Sequence, residues 1–178
     1  MKTNDLIIPI RSAIIQVMTA RGVGMPVKQA YQPTTQGTLS GFLLTLFPIA
    51  ERRYGFEQKK DQWNPETEQF DHVQSQQIET TIQFGAIGPQ NPADNAELTL
   101  TDYVRAAASA LQSDVCLNLL RAAGIGLERI TDVRIVYAID DKDLHEANPS
   151  FDAVFTHRDT VIDTLPAVTA REVVIHRA

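Results

Sequence analysis

With 178 residues, 43% hydrophobic and 21% charged, the chain suits one domain. A domain of this size buries roughly 70% of the surface its unfolded chain exposes, so neither a disulfide nor a metal is needed to hold it; the lone Cys116 excludes an internal disulfide. The net charge of −6 and pI near 5.1 exclude a tight nucleic-acid binder, because neutralising phosphates requires an excess of Lys and Arg.

The N-terminal pattern, Lys2-Thr3-Asn4-Asp5 and then an amphipathic segment, does not read as a secretory leader. Ile7, Ile10, Ile14, Val17 and Met18 recur at helical spacing and predict a helix over 4–21. Thr3 or Asn4 can cap it, Pro9 removes one backbone donor, and Gly22 and Gly24 stop it. Residues 25–40, rich in Pro, Gly, Gln and Thr, read as a projecting arm with a short strand at Val27–Tyr31. Residues 41–47 are apolar on both faces, as in a strand covered on both sides, and fall far short of the roughly 20 residues of a membrane span.

Residues 48–71 show no apolar periodicity and read as a long polar projecting loop. Alternation returns at 72–85, where Ile78, Thr80, Ile82 and Phe84 share one face of a predicted strand. A second loop is expected at 86–97. Leu100, Tyr103, Val104, Ala107, Ala108 and Leu111 form the stripe of a helix over 99–112, capped by Thr99 or Thr101. Ser113 caps a further helix that ends at Gly124. Strands are predicted at 128–138, 151–157 and 168–176. The order predicts an α+β fold, a mostly antiparallel sheet with helices packed on one face and long loops projecting from it.

No catalytic or metal-binding constellation emerges. His72, His145, His157 and His176 contain no i, i+4 pair and none neighbours a Cys. His157 is expected at the surface or in an interface. Ser150, Asp152 and His157 are the residue types of a hydrolytic triad, but no G-x-S-x-G elbow is present. Asp140-Asp141-Lys142-Asp143 lacks the glycine of a calcium loop and reads as a solvated turn. Gly124-Ile125-Gly126 follows a helix and lacks the third glycine of a dinucleotide site. Cys116 sits in an apolar helical run as a buried thiol. No cofactor is expected. Arg52, Arg53, Lys59 and Lys60 are the one concentration of cations, either a solvated loop or a contact to an acidic neighbour.

Several segments taken together carry a resemblance. They are Tyr31-Gln32-Pro33, Arg53-Tyr54-Gly55-Phe56, Trp63, Glu79-Thr80-Thr81-Ile82-Gln83 and Leu111-Gln112-Ser113. After these come Gly124-Ile125-Gly126, Arg129-Ile130-Thr131, Asp140-Asp141, Asn148-Pro149-Ser150-Phe151-Asp152 and Thr156-His157. In this order and spacing, from about Tyr31 to Arg177, the chain resembles the tailed-phage gateway, or neck/tail terminator, family. The resemblance implies a non-enzymatic virion subunit, assembled in the bacterial host cytoplasm. Copies would form a ring, six-fold as a rule, on the end of the tail tube. The ring's partners would be the tube protein, the head-side connector or stopper and, in contractile tails, the sheath; no membrane is involved.

A heterologous, closing ring contact needs two different surfaces on each subunit. The candidates are Gln32 on the arm, Arg52, Arg53, Tyr54, Lys59, Lys60 and Trp63 in the 48–71 segment, and Asp140 and Asp141 in the acidic turn. The acidic balance suggests a channel along which DNA passes without specific binding. Alternative readings are another neck component, such as a head-completion protein or a tube subunit, and a small cytosolic hydrolase using Ser150 or His157.

Overall fold

The computed structural model describes residues 3–29, 41–88, 98–139 and 145–166. Chain order is α1 (Thr3–Ala20), β1 (Val27–Gln29), β2 (Leu43–Asn64), β3 (Gln69–Ile87), α2 (Leu100–Leu111), α3 (Asp114–Ala122), β4 (Gly126–Ile130), β5 (Arg134–Ile139) and β6 (His145–Pro166). Residues 30–40 of the expected 25–40 arm, most of the loop at 86–97, residues 140–144 of the expected 140–146 acidic turn and the strand at 168–176 lie outside the described residues, as do Gln32, Asp140 and Asp141.

The helices form where apolar spacing and caps coincide. On α1, Leu6, Ile7, Ile10, Ala13, Ile14, Val17 and Met18 are buried, and this inner face carries the helix through Pro9. Val23 N–H donates to the Met18 carbonyl at 3.0 Å around Gly22, whose φ of +73° favours glycine. The same closure ends α3, where Ile125 N–H reaches the Leu120 carbonyl at 2.9 Å around Gly124. Thr99 and Asp102 form a reciprocal capping box at the start of α2, and Ser113 caps α3. The Thr99 hydrogen bonds hold the Asp102 carboxyl below its ordinary pKa.

The six strands form one sheet in the order β1-β2-β3-β6-β4, with β5 also pairing β6. β1 runs parallel to β2 and every other pairing is antiparallel. The helices cover one face. There Leu44 and Leu46 of β2, Ile82, Phe84 and Ala86 of β3, and Phe151, Ala153 and Phe155 of β6 meet α1, α2 and α3 in one core. Phe84 and Phe151 are register partners whose rings stack 4.9 Å apart and nearly parallel, 7° between planes. This is the α+β architecture that the element order predicts.

The segment at 48–71 is not a loop. β2 continues to Asn64, turns at 65–68 and returns as β3 from Gln69. From Glu51 to Trp63 every β2 residue is exposed, so neither face leaves an apolar alternation in the sequence. Cross-strand backbone bonding holds the strand instead, and β6 pairs β3 as far as Gln69↔Pro166. The single predicted strand 128–138 is two strands. The chain leaves the ladder at 131–133, where Thr131 N–H donates to the Asp152 carbonyl and Asp152 N–H to Thr131 Oγ1, each at 2.8 Å. In β4 the register skips Glu128, so that Leu127 lies opposite Phe155 and Ile130 opposite Ala153, both packed on the core.

Candidate interaction surface

Residues beyond the row Arg53↔Ile78↔His157 are built differently from those before it. Ile78 and His157 are buried, and no described residue of β2, β3 or β6 past that row is. β2, β3 and β6 therefore run out of the helix-covered body as a three-stranded blade. At the strand rise per residue, Gln69–Gln77 spans about 30 Å.

Alternation divides the blade's side chains between two faces. On the face continuous with the helical side stand Arg53, Lys59, Asp61 and Trp63 of β2, then Phe70, His72, Gln74 and Gln76 of β3, and Val161 and Asp163 of β6. Trp63 and Phe70 meet edge to face at 5.1 Å near the tip, both more than two-fifths exposed. His72 Nδ1 pairs with Asp61, its register partner, and Asp163 stands opposite on β6. The other face shows Arg52, Tyr54, Lys60, Val73, Arg158 and Ile162, with Arg52 opposite Glu79.

The cations read as one concentration are thus split, Arg52 and Lys60 on one face and Arg53 and Lys59 on the other. Lys59 also has an ion-pair partner, Glu57, at 3.8 Å. Tyr54 shares a face with Arg52 and Lys60, and Trp63 with Arg53 and Lys59.

Two register irregularities shape β2. The register skips Ile49, between Pro48 and Ala50. Farther out, Gly55-Phe56-Glu57 stand opposite the one residue Gln76, whose Nε2 donates to the Gly55 carbonyl at 3.1 Å. Gly55 has φ +71°, and beside it Phe56 is 98% exposed. The sequence marks this spot only by a glycine within a polar run. The tip is fixed locally: Asn64 Oδ1 accepts from Glu66 N–H at 3.0 Å and Asn64 Nδ2 donates to Asp71 Oδ2 at 3.1 Å.

His157, expected at the surface or in an interface, is buried within the subunit and not at its surface. It is 7% exposed, its Nε2 lies 3.0 Å from Thr80 Oγ1, and burial pushes its pKa below the ordinary histidine value. It faces the helices, whereas Ser150 and Asp152 face the opposite side of β6. Asp152 is occupied there by Arg134 Nη2, at 2.8 and 2.9 Å from its two oxygens, and by Gln83 Nε2 at 3.3 Å. Ser150, Asp152 and His157 cannot act as a triad on one side of the sheet. Cys116 is buried on α3, and desolvation pushes its thiol up to about 11. Among the described residues no group of three or more His, Cys, Asp or Glu is placed to hold a metal ion, and no helix is long and apolar enough to cross a membrane.

The model of one protein family, described as E217 gateway protein gp29, matches residues 5–167. The chain belongs to this gateway protein family. Membership makes it a structural phage virion protein by family and agrees with the resemblance read from its segments. The match begins inside α1 and takes in every strand of the blade. No curated protein sequence matches the chain. Among solved structures, a sheath/tube terminator of the PVC extracellular contractile injection system in its extended state aligns at 11% identity and TM-score 0.47. That alignment covers 97% of the gateway chain, which spans 64% of the terminator chain. A chain of the native gene transfer agent virion aligns at 18% identity and TM-score 0.24, covering 86% of this chain and 96% of that one.

Proposed function

We propose that this gateway-family chain works at the phage head–tail junction as one copy in a ring. The ring closes the end of the tail tube, joins it to the head-side connector and lets DNA through. The observation that carries the reading is the blade, exposed on both faces, within a chain matched by the family over residues 5–167. An isolated subunit gains nothing from holding Phe56, Trp63, Phe70 and Ile162 in water. Such groups become favourable once covered, and two unlike faces suit a heterologous contact that closes.

Arg52, Tyr54 and Lys60 then serve one neighbour, and Arg53, Lys59 and Trp63 another. Gln32, Asp140 and Asp141 keep their assignment as contact residues. The net charge of −6 supports a channel that repels the phosphate backbone.

Negative-stain microscopy of the purified protein, alone and with tails, tests the reading. Discrete rings and capped tail ends are expected. Filaments of indefinite length would make it a tube subunit instead, and infectious particles assembled without the gene product would overturn the role.

A further inference from the structure

The three helices pack on one face of the sheet, and among the described residues nothing covers the other. In the middle of this open face two register rows cross four strands, Ala50↔Thr81↔Val154↔Arg129 and Arg52↔Glu79↔Thr156↔Gly126. The row Tyr54↔Gln77↔Arg158 follows on the side of the blade. Arg52, Arg129 and Arg158 are exposed around a low floor of small residues, Thr81, Thr156 and Gly126. A Cβ at Gly126 would stand 2.5 Å from Thr156 Oγ1, so a side chain there would have to displace that hydroxyl. Glu79 shares this shelf, as does Glu128 in the bulge beside Arg129. Even so, among the described residues none of the three guanidinium groups has an ion-pair partner, whereas Arg134 is held by Asp152.

The outer end of the blade has the opposite sign. From Asp61 to Val73 and from Ile162 to Pro166 the sequence has no Lys or Arg, and it carries the carboxylates Asp61, Glu66, Glu68, Asp71 and Asp163. The exposed edge-to-face pair of Trp63 and Phe70 stands among them.

We propose that the arginine shelf on the open face of the sheet receives the blade tip of a neighbouring copy. The tip's carboxylates then meet Arg52, Arg129 and Arg158, and the Trp63 ring offers a face on which a guanidinium stacks. The inference rests on the ring reading and names the surfaces that would meet in it.

Sign and reach select a second copy. Chains of net charge −6 repel one another unless unlike local charges are brought together, and tip and shelf are such a pair. Within one chain they cannot meet. The tip lies about 27 Å beyond Arg158 along the same paired strands, and a bonded sheet does not fold back onto its own face. Each copy thus offers one tip and one shelf, two unlike surfaces whose repeated pairing closes a ring.

Charge exchange tests it. E66K/E68K/D163K reverses the sign of the tip and R52E/R129E/R158E that of the shelf. All six side chains are exposed, so thermal unfolding should stay within a few degrees of the parent. Alone, each variant should lose the rings that the parent forms, because like charges then face each other. Mixed in equal amounts, the two should form rings in which they alternate, since every tip again finds a shelf of opposite sign. Rings from either variant alone would overturn the proposal and leave the arginines to another virion protein or to DNA. Rings from the parent but none from the mixture would also overturn it, while leaving the ring standing. No rings from the parent would defeat the ring reading and the proposal together. As a second arm, the neutral sets E66Q/E68Q/D163N and R52Q/R129Q/R158Q should each lower the yield of rings; unchanged yield from both counts against the docking.

Discussion

Thr80 of β3 and His157 of β6 meet at 3.0 Å inside the sheet, next to the last buried apolar side chain before the blade begins. Burial holds the imidazole neutral by lowering its pKa below the ordinary 6.5. The unfolded chain takes up a proton as pH falls through 6.5 and the folded chain resists it. This contribution is therefore intact above 6.5 and is lost as pH falls toward the depressed folded value. Melting temperatures between pH 8 and pH 5 should drop more steeply for the parent than for H157Q. Equal slopes would mean that His157 is not the titrating group.

Core and blade should respond oppositely to aromatic truncation. F151A removes a fully buried ring stacked on Phe84 and should cost about 3–5 kcal/mol in denaturant unfolding. F56A removes a ring that is almost wholly exposed and should stay within about 0.5 kcal/mol of the parent. The same F56A protein should join fewer heads to tails in an assembly count. Full joining would remove Phe56 from the contact surface.

Charge reversals at Arg52 and Arg53 are best made singly, because the two side chains leave β2 on opposite faces. If each serves a different neighbour, R52E and R53E proteins mixed with parent protein should poison assembly separately, and the double variant should be the most defective. Unchanged joining in all three would show that Arg52 and Arg53 contact no neighbour.

T99A removes the cap oxygen that accepts from Asp102 N–H at 3.2 Å. The expected loss is about 1 kcal/mol by denaturant melt, with no effect on ring formation.

Cys116 should be inert in the native protein. Its burial and a thiol pKa raised to about 11 leave little thiolate at neutral pH. A chromogenic disulfide reagent should react only after denaturant is added; fast native labelling would contradict the packing of α3.

How much of this was legible depends on whether a residue's partner is water or protein. α2 was readable because Leu100, Val104, Ala107 and Leu111 point one way and Thr99 marks the start. The inner face of β3 was readable for the same reason at period two, through Ile78, Thr80, Ile82 and Phe84. The outer half of β2 was not, since an extended chain exposed on both sides has no hydrophobic period. The split of the cations followed from that miss, because a loop has no faces to divide them. The burial of His157 was not readable because the contact it makes, with Thr80, spans 77 residues of sequence.

The position of β6 also bears on the order in which the sheet can form. This strand sits inside the sheet, between β3 on one side and β4 and β5 on the other, yet it is the last of them to leave the ribosome. Until translation has passed Pro166, β3 lacks its second neighbour and Phe84 lacks the ring of Phe151. The helix-covered side of the sheet is therefore completed only once β6 has been made.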